Sequence, residues 1–369
     1  MNKLQHIFYL LVFLTLSLPA FSQKYNVYIS SYSGDHDKGI SQYKFSENTG
    51  KFHFVTKPDS VQNSSYLCLH PSGRYLYSVA SGEITAFSID GRSGELILLN
   101  KQDTDKGPCY VAIDHTGNWI LVSNYSGGSI QVFPVDKQGA LGASQQLIRH
   151  EGSSINKNRQ EGPHPHMIMT SPDNKYVIVP DLGADKIFVY KLNSKSGTLK
   201  PNDPNGVQAT PGAGPRHFAF HPNNKFGYVL NELNSTVTAY SWDEQSGILT
   251  TLETENLLPE DFTDYNKSAD IHLTPDGQFL YATNRGHNSI TAFQVMDDGY
   301  LKLISHFPTK GETPRNFVIS PRGKYLMVAN KGTGNIIMYK IDPKTGRLIF
   351  ENEILNLIAP QCIKMLPIE

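Results

Sequence analysis

Charge is scarce in this chain. Of 369 residues only 18% are Asp, Glu, Lys or Arg, and 33 basic against 34 acidic side chains leave a formal net charge of −1. Without a basic excess to neutralise phosphates, a nucleic-acid partner is excluded. Cysteine is scarcer still: Cys68, Cys109 and Cys362 are the three, and an odd count cannot close into a full disulfide framework. Each stands in an apolar, strand-like setting (Leu67-Cys68-Leu69, Cys109-Tyr110-Val111, Cys362-Ile363), where a free thiol that simply packs is expected. No HExxH, paired CxxC, P-loop or GxSxG occurs, so neither a metal nor a nucleotide cofactor nor a serine triad is expected. No apolar run reaches the ~20 residues of a membrane span.

Turn formers and rings are abundant instead, with 30 Gly, 22 Pro, 19 Tyr and 18 Phe. That aromatic mass supports a large core and excludes a disordered chain. Residues 1–22 read as a segment apart: Lys3, an apolar run from Ile7 to Leu18, then Pro19-Ala20-Phe21-Ser22. A basic start, a short apolar stretch and small residues before a cleavage point describe a secretory signal peptide. Export to the periplasm or medium is therefore expected, with residues 23–369 as one domain. The oligomeric state is left open.

A turn signal recurs throughout that remainder. Gly50, Gly94, Gly139, Gly197, Gly247, Gly299 and Gly346 follow one another at spacings of 44, 45, 58, 50, 52 and 47 residues. An aromatic residue stands six or seven positions before each: Tyr43, Phe87, Phe133, Tyr190, Tyr240, Phe293 and Tyr339. Apolar and polar residues alternate around them, which is a strand closed by a hairpin. A second signal, such as His70-Pro71-Ser72-Gly73-Arg74-Tyr75 or Thr274-Pro275-Asp276-Gly277-Gln278-Phe279, is a tight turn between two apolar strands. Together the two signals give four strands per repeat. Four strands every fifty residues or so is the pattern of a β-propeller blade. The first copy begins at its second strand, Val27-Tyr28-Ile29-Ser30, and the chain ends on an unpartnered strand, residues 361–366. An all-β, seven-bladed propeller is predicted, closed by pairing of the C-terminal strand with the N-terminal blade.

In such a ring the innermost strand starts, and the second strand ends, on one face of the central channel. Both turn signals lie on the other. Counting ten residues back from each turn aromatic gives Ser65, Cys109, His166, Arg216, Ala269 and Arg315, with Gln361 as their counterpart in the last strand. Counting six forward gives Ser31, Ser81, Tyr125, Leu182, Glu232, Arg285 and Lys331. His166, Arg216, Glu232, Arg285, Arg315 and Lys331 thus converge on one mouth. So many charges are costly to gather without a compensating anion. His164 is expected to line the pocket beside His166. Glu232 has a plainer reading as the counter-charge of Arg216. Asn124, Asn231, Asn284 and Asn330, with Asp181 in the same place, repeat too faithfully to be ligands and read as structural caps. Three long strand-poor connections, residues 149–163, 201–215 and 253–268, lead to this mouth, where loops usually carry function.

The segments that break the repeat are Pro163-His164-Pro165-His166, Gly214-Pro215-Arg216-His217, Leu230-Asn231-Glu232-Leu233, Ala269-Asp270-Ile271-His272, Asn284-Arg285-Gly286-His287 and Thr313-Pro314-Arg315-Asn316. In order and over essentially the whole chain after the leader, they resemble the seven-bladed lactonase family. That family includes propeller-type 6-phosphogluconolactonases and carboxymuconate lactonising enzymes. The resemblance implies hydrolysis of a sugar lactone to its open-chain acid, with no cofactor and with His166, Arg216, Glu232 and Arg285 as site residues. Its chemistry needs a base for water and an electrophile for the oxyanion. His166 suits the base. Arg216 and Arg285 suit the oxyanion and a carboxylate or phosphate, and Glu232 could orient His166 or an arginine, or relay a proton. Arg315, Lys331, His164 and Tyr125 are expected to bind a small anionic lactone. Because 6-phosphogluconolactone is a cytosolic intermediate and this chain carries an export signal, an unphosphorylated sugar or uronic-acid lactone stands beside it. A non-catalytic propeller binding an anionic sugar or protein, and a muconate-type cycloisomerase, are the alternatives.

Overall fold

A computed structural model describes residues 24–32, 39–56, 61 and 63–368, so the predicted leader lies outside the described residues. The alternating segments are strands, and no helix occurs among the described residues. They form seven antiparallel sheets. Blade 1 runs outward from Pro360–Pro367 through Lys24–Ser31 and Ile40–Ser46 to Lys51–Thr56. The C-terminal strand therefore supplies the innermost strand of the N-terminal blade, with Tyr28 opposite Lys364 and Ile29 opposite Ile363. Blades 2, 3, 5, 6 and 7 repeat that order within residues 66–103, 108–149, 215–256, 268–308 and 314–356. Blade 4, within residues 169–208, splits its edge between Thr198–Pro201 and Val207–Gln208, both paired with Lys186–Asn193. Blades touch through their inner strands from each to the next around a closed circle, which encloses the inner sheet edges around the channel, away from other chains.

The core lies between blades. Tyr25, Val27 and Ile29 pack against Tyr325, Met327 and Ile336, for example, and join blade 1 to blade 7. Each such side chain contributes roughly 1.5–3 kcal/mol when taken out of water. On the turn face the second-strand aromatics also latch onto the next blade. The Tyr28 hydroxyl donates to the Gly94 carbonyl at 2.7 Å, Tyr77 to Gly139 at 3.1 Å, Tyr228 to Gly299 at 3.0 Å and Tyr281 to Gly346 at 2.8 Å. Gly299 must be glycine there: its φ is +88°, and a Cβ would lie 2.5 Å from the Phe226 ring.

On the opposite face a backbone device recurs. In most innermost strands the pairing skips a residue at the mouth: Cys109 in blade 3, Arg216 in blade 5, Ala269 and Asp270 in blade 6, Arg315 in blade 7 and Gln361 in blade 1. His166 likewise lies between the isolated Pro165–Asp181 bridge and the paired Met169–Thr170. An extra residue in one strand bends it and re-aims its side chain. These are the positions that the ten-residue count selects. Proline directly precedes Cys109, His166, Arg216, Arg315 and Gln361, where the ladder has no use for its missing N–H.

Candidate active site

Of these positions Cys109, His166 and Arg315 border a cavity of about 390 Å³ at the channel mouth, lined also by Ser65, Tyr125, Arg159, Glu232, Lys267 and Arg285 among others. A smaller, deeper pocket continues below it through His166 and Arg315 to Arg216 and His217. Glu232, at the end of the second strand of blade 5, is the hub. Its Oε2 accepts from Arg216 Nε at 2.9 Å and pairs with Arg285 Nη2 at 2.8 Å, while Oε1 accepts from Arg159 Nη2 at 2.7 Å. Although burial alone would raise its pKa, Arg285, Arg216 and Arg159 together hold the carboxyl far below the usual range. Three guanidinium groups thus hold Glu232 as an anion, and its hydrogen-bond and ion-pair partners are arginines.

Each arginine is committed differently. Arg216 is 1% exposed and belongs to the deeper pocket. Besides Glu232, its Nη1 meets His217 Nε2 at 3.1 Å and the Ala269 carbonyl. Burial, then Arg285 and Arg315, pull its pKa down to about 9, still protonated at neutral pH. Arg285 also donates from Nε and Nη2 to the Lys267 and Ser268 carbonyls at 3.2 and 3.0 Å. Arg315 also lines the cavity, yet no hydrogen bond or ion pair to it occurs among the described residues. Burial and then Arg285 lower its pKa. The whole Arg315 guanidinium thus remains available to a ligand.

His166 is buried, and its ring stands 5.5 Å from Tyr125 and 5.3 Å from His217, centre to centre. Desolvation first, then Arg216, His217, Arg315 and Arg285, hold its pKa well below that of an ordinary imidazole. It is neutral at pH 7 and able to accept a proton. Cys109 Sγ lies 4.0 Å from its Nδ1. Cys109 thus borders the cavity instead of merely packing, but burial raises its pKa to about 11, so it stays a thiol.

Tyr125 lines the cavity, its hydroxyl accepting from Arg159 Nη2 at 3.1 Å. His164 does not line it. Its ring stacks on Tyr125 at 4.4 Å, with Nδ1 2.9 Å from the Tyr125 carbonyl and Nε2 3.0 Å from Glu161. Lys331 borders an adjoining depression with Thr333, Asn356 and Ile358, its Nζ 5.6 Å from the Tyr32 ring centre. The recurring asparagines are caps: Asn124, Asn231, Asn284 and Asn330 all bond side chains or carbonyls of their own or neighbouring loops. Asp181 accepts the His164, Gly183 and Ala184 N–H groups.

Arg159 was not reached by counting. It comes from the 149–163 connection, which has no repeat equivalent, and only the loop's length and destination pointed to it. Its Nη1 is enclosed and has no partner among the described residues. His217 and Asp270 were also missed, although they adjoin the counted residues Arg216 and Ala269. Among the described residues no group of three His, Cys, Asp or Glu side chains is placed to hold a metal ion.

The chain as a whole has relatives. A family model described as a seven-bladed β-propeller lactonase matches residues 26–365. A protein of Formosa agariphila named 6-phosphogluconolactonase is 41% identical over 323 residues, 84% of this chain and 90% of the relative. One of Bacillus subtilis with the same name is 36% identical over 352 residues, 93% and 99% of the two chains. The structure of a Pseudomonas aeruginosa periplasmic gluconolactonase matches with a TM-score of 0.88 at 29% identity, covering 94% of this chain and all of that one (100%).

Proposed function

The chain belongs to the seven-bladed β-propeller lactonase family, and we propose that it hydrolyses a sugar δ-lactone bearing an anionic group to the open-chain acid. One observation carries this reading: an unpartnered arginine, Arg315, stands in the same cavity as the neutral His166. Neutral His166 takes a proton from water as the water oxygen bonds to the lactone carbonyl carbon. Arg315 donates to the oxyanion that forms. When the ring C–O bond breaks, the departing ring oxygen recovers the proton from His166. Arg216 and Arg285, which the sequence suggested for the oxyanion, are instead committed to Glu232, and this triad keeps the cavity positive for an anionic substrate. Relatives named 6-phosphogluconolactonase support a phosphorylated substrate. The leader-like residues 1–22, together with the periplasmic neighbour, support export and work on sugar lactones outside the cytosol.

Acid release from the δ-lactones of 6-phosphogluconate (anionic), gluconate (neutral) and glucarate (anionic, with a free carboxylate) tests the reading, with wild type beside Arg315→Met. Anionic lactones should turn over with kcat/KM roughly tenfold or more above the neutral one, and R315M, which removes the oxyanion donor, should slow both kinds alike by roughly 10²–10³-fold. Saturable binding of the aldonate with no acid release would make the protein a binder. Absence of solvent oxygen in the product would point to cycloisomerisation.

A further inference from the structure

Below the cavity lies a second tier of side chains, one residue further along each innermost strand: Tyr66, Tyr110, Met167, His217, Asp270, Asn316 and Cys362. Four of these blades fill it with rings, thioether or thiol, Tyr66 and Tyr110 stacking at 3.9 Å. The other three, blades 5 to 7, carry a polar line that the hydrolytic steps do not use.

Asp270 is 1% exposed. Its carboxylate accepts from His217 Nδ1 at 2.7 Å, Asn316 Nδ2 at 2.5 Å, and the backbone N–H groups of Ile271 and Phe317 at 3.1 and 3.2 Å. His272 Nε2 stands 3.1 Å from its second oxygen. Because Nδ1 of His217 faces a carboxylate, that nitrogen carries the proton, and Nε2 is left as an acceptor. Arg216 Nη1 occupies that acceptor at 3.1 Å. The same guanidinium reaches Glu232 through Nε. Burial and Arg216 outweigh Asp270 and bring His217 down to about 3, so its ring is neutral. A line from Asn316 through Asp270, His217 and Arg216 to Glu232 thus crosses three blades and passes under His166.

A propeller core does not require this line, since the other four blades close without it, and burying charge is costly. We propose that Asp270 and His217 are positioning residues for lactone hydrolysis: Asp270 fixes the His217 tautomer, and His217 then holds Arg216, and with it Glu232, beneath the cavity. The proposal rests on the lactonase reading. With the tautomer reversed, Nε2–H would confront an Arg216 N–H, donor against donor, and the guanidinium would have to move.

Two substitutions at one position separate the halves of His217. Glutamine places a side-chain oxygen about where Nε2 sits, keeping an acceptor for Arg216. Asparagine places its amide about where Nδ1 sits, keeping the bond to Asp270 and losing Arg216. His217→Asn should lower kcat by roughly ten- to hundredfold with KM changed little, and His217→Gln should fall several-fold less. Equal losses accompanied by a lower melting midpoint, or no loss in either variant, would overturn the proposal. Nitrogen NMR of the His217 ring tests the tautomer without any turnover. A neutral Nδ1–H ring is expected from pH 8 down to pH 5, reversed or titrating in Asp270→Asn. An Nε2–H ring in the wild type would overturn the proposal even if lactones are hydrolysed. A wild type inert to every lactone would defeat the functional reading and leave the tautomer result standing.

Discussion

The two faces of the ring are built from the same strands and behave in opposite ways. On the turn face one arrangement is repeated: a second-strand hydroxyl reaches the carbonyl of the next blade's glycine turn in Tyr28, Tyr77, Tyr228 and Tyr281. On the mouth face the backbone device is repeated but the side chain is not. The skipped position holds Cys109, Arg216, Ala269 with Asp270, Arg315 or Gln361 according to the blade. Repetition of side chains therefore marks what holds the blades together. Repetition of backbone with divergent side chains marks where chemistry is aimed.

The contrast breaks if a mouth residue proves to matter for stability alone. His166→Ala is the severest trial. Losing the general base should lower kcat on an anionic lactone by about 10²–10⁴-fold, while the melting midpoint moves little, because no hydrogen bond from the His166 ring carries the ladder. The pH profile belongs to the same trial. A base must be unprotonated, and burial with the neighbouring cations pushes the His166 pKa well below its ordinary 6.5. Activity should accordingly persist as pH falls past 6.5, its acid limb lying distinctly lower. An acid limb at 6.5 would mean that another group accepts the proton.

Most of the fold was legible because a strand has a strict period and each blade repeats the same turns, so a fixed offset finds the same place seven times. The offset held even through the bulges because nearly every blade carries the extra residue. What the count could not supply was direction and depth. Arg216 and Arg315 occupy equivalent positions, yet one is drawn down onto Glu232 and the other left free. His164, two residues before His166, was expected beside it but stacks behind Tyr125, because residues 163–168 are not a regular strand with a fixed alternation. Lys331 has the expected offset, but its long stem carries the ammonium over Tyr32. Arg159 had no offset at all.

Arg159 sharpens the comparison because it reaches the mouth from a loop, outside the repeat. It spans from Tyr125 in blade 3 to Glu232 in blade 5, and its enclosed Nη1 lacks an acceptor that a substrate oxygen would supply. In Arg159→Met, Glu232 keeps Arg216 and Arg285, so the chemical step should survive better than in H166A. KM should rise about tenfold, equivalent to ~1.4 kcal/mol of binding. Steady-state kinetics beside a melting curve decide the matter. A lower midpoint with unchanged KM would place Arg159 with the latches of the turn face.

The smallest expected effect comes from the opposite side. Tyr228→Phe keeps the buried ring and removes only the hydroxyl that reaches the Gly299 carbonyl at 3.0 Å. A hydrogen bond of this kind contributes about 1 kcal/mol net, and its loss leaves that carbonyl to find water at the turn. Unfolding in urea should show a loss of about that size, with kcat and KM unchanged, since Gly299 and the cavity lie at opposite ends of the strands. A fall in kcat at unaltered stability would mean that the blades transmit strain along their length. The faces would then be coupled through the inter-blade core, and divergence among repeats would no longer suffice to tell a working residue from a structural one.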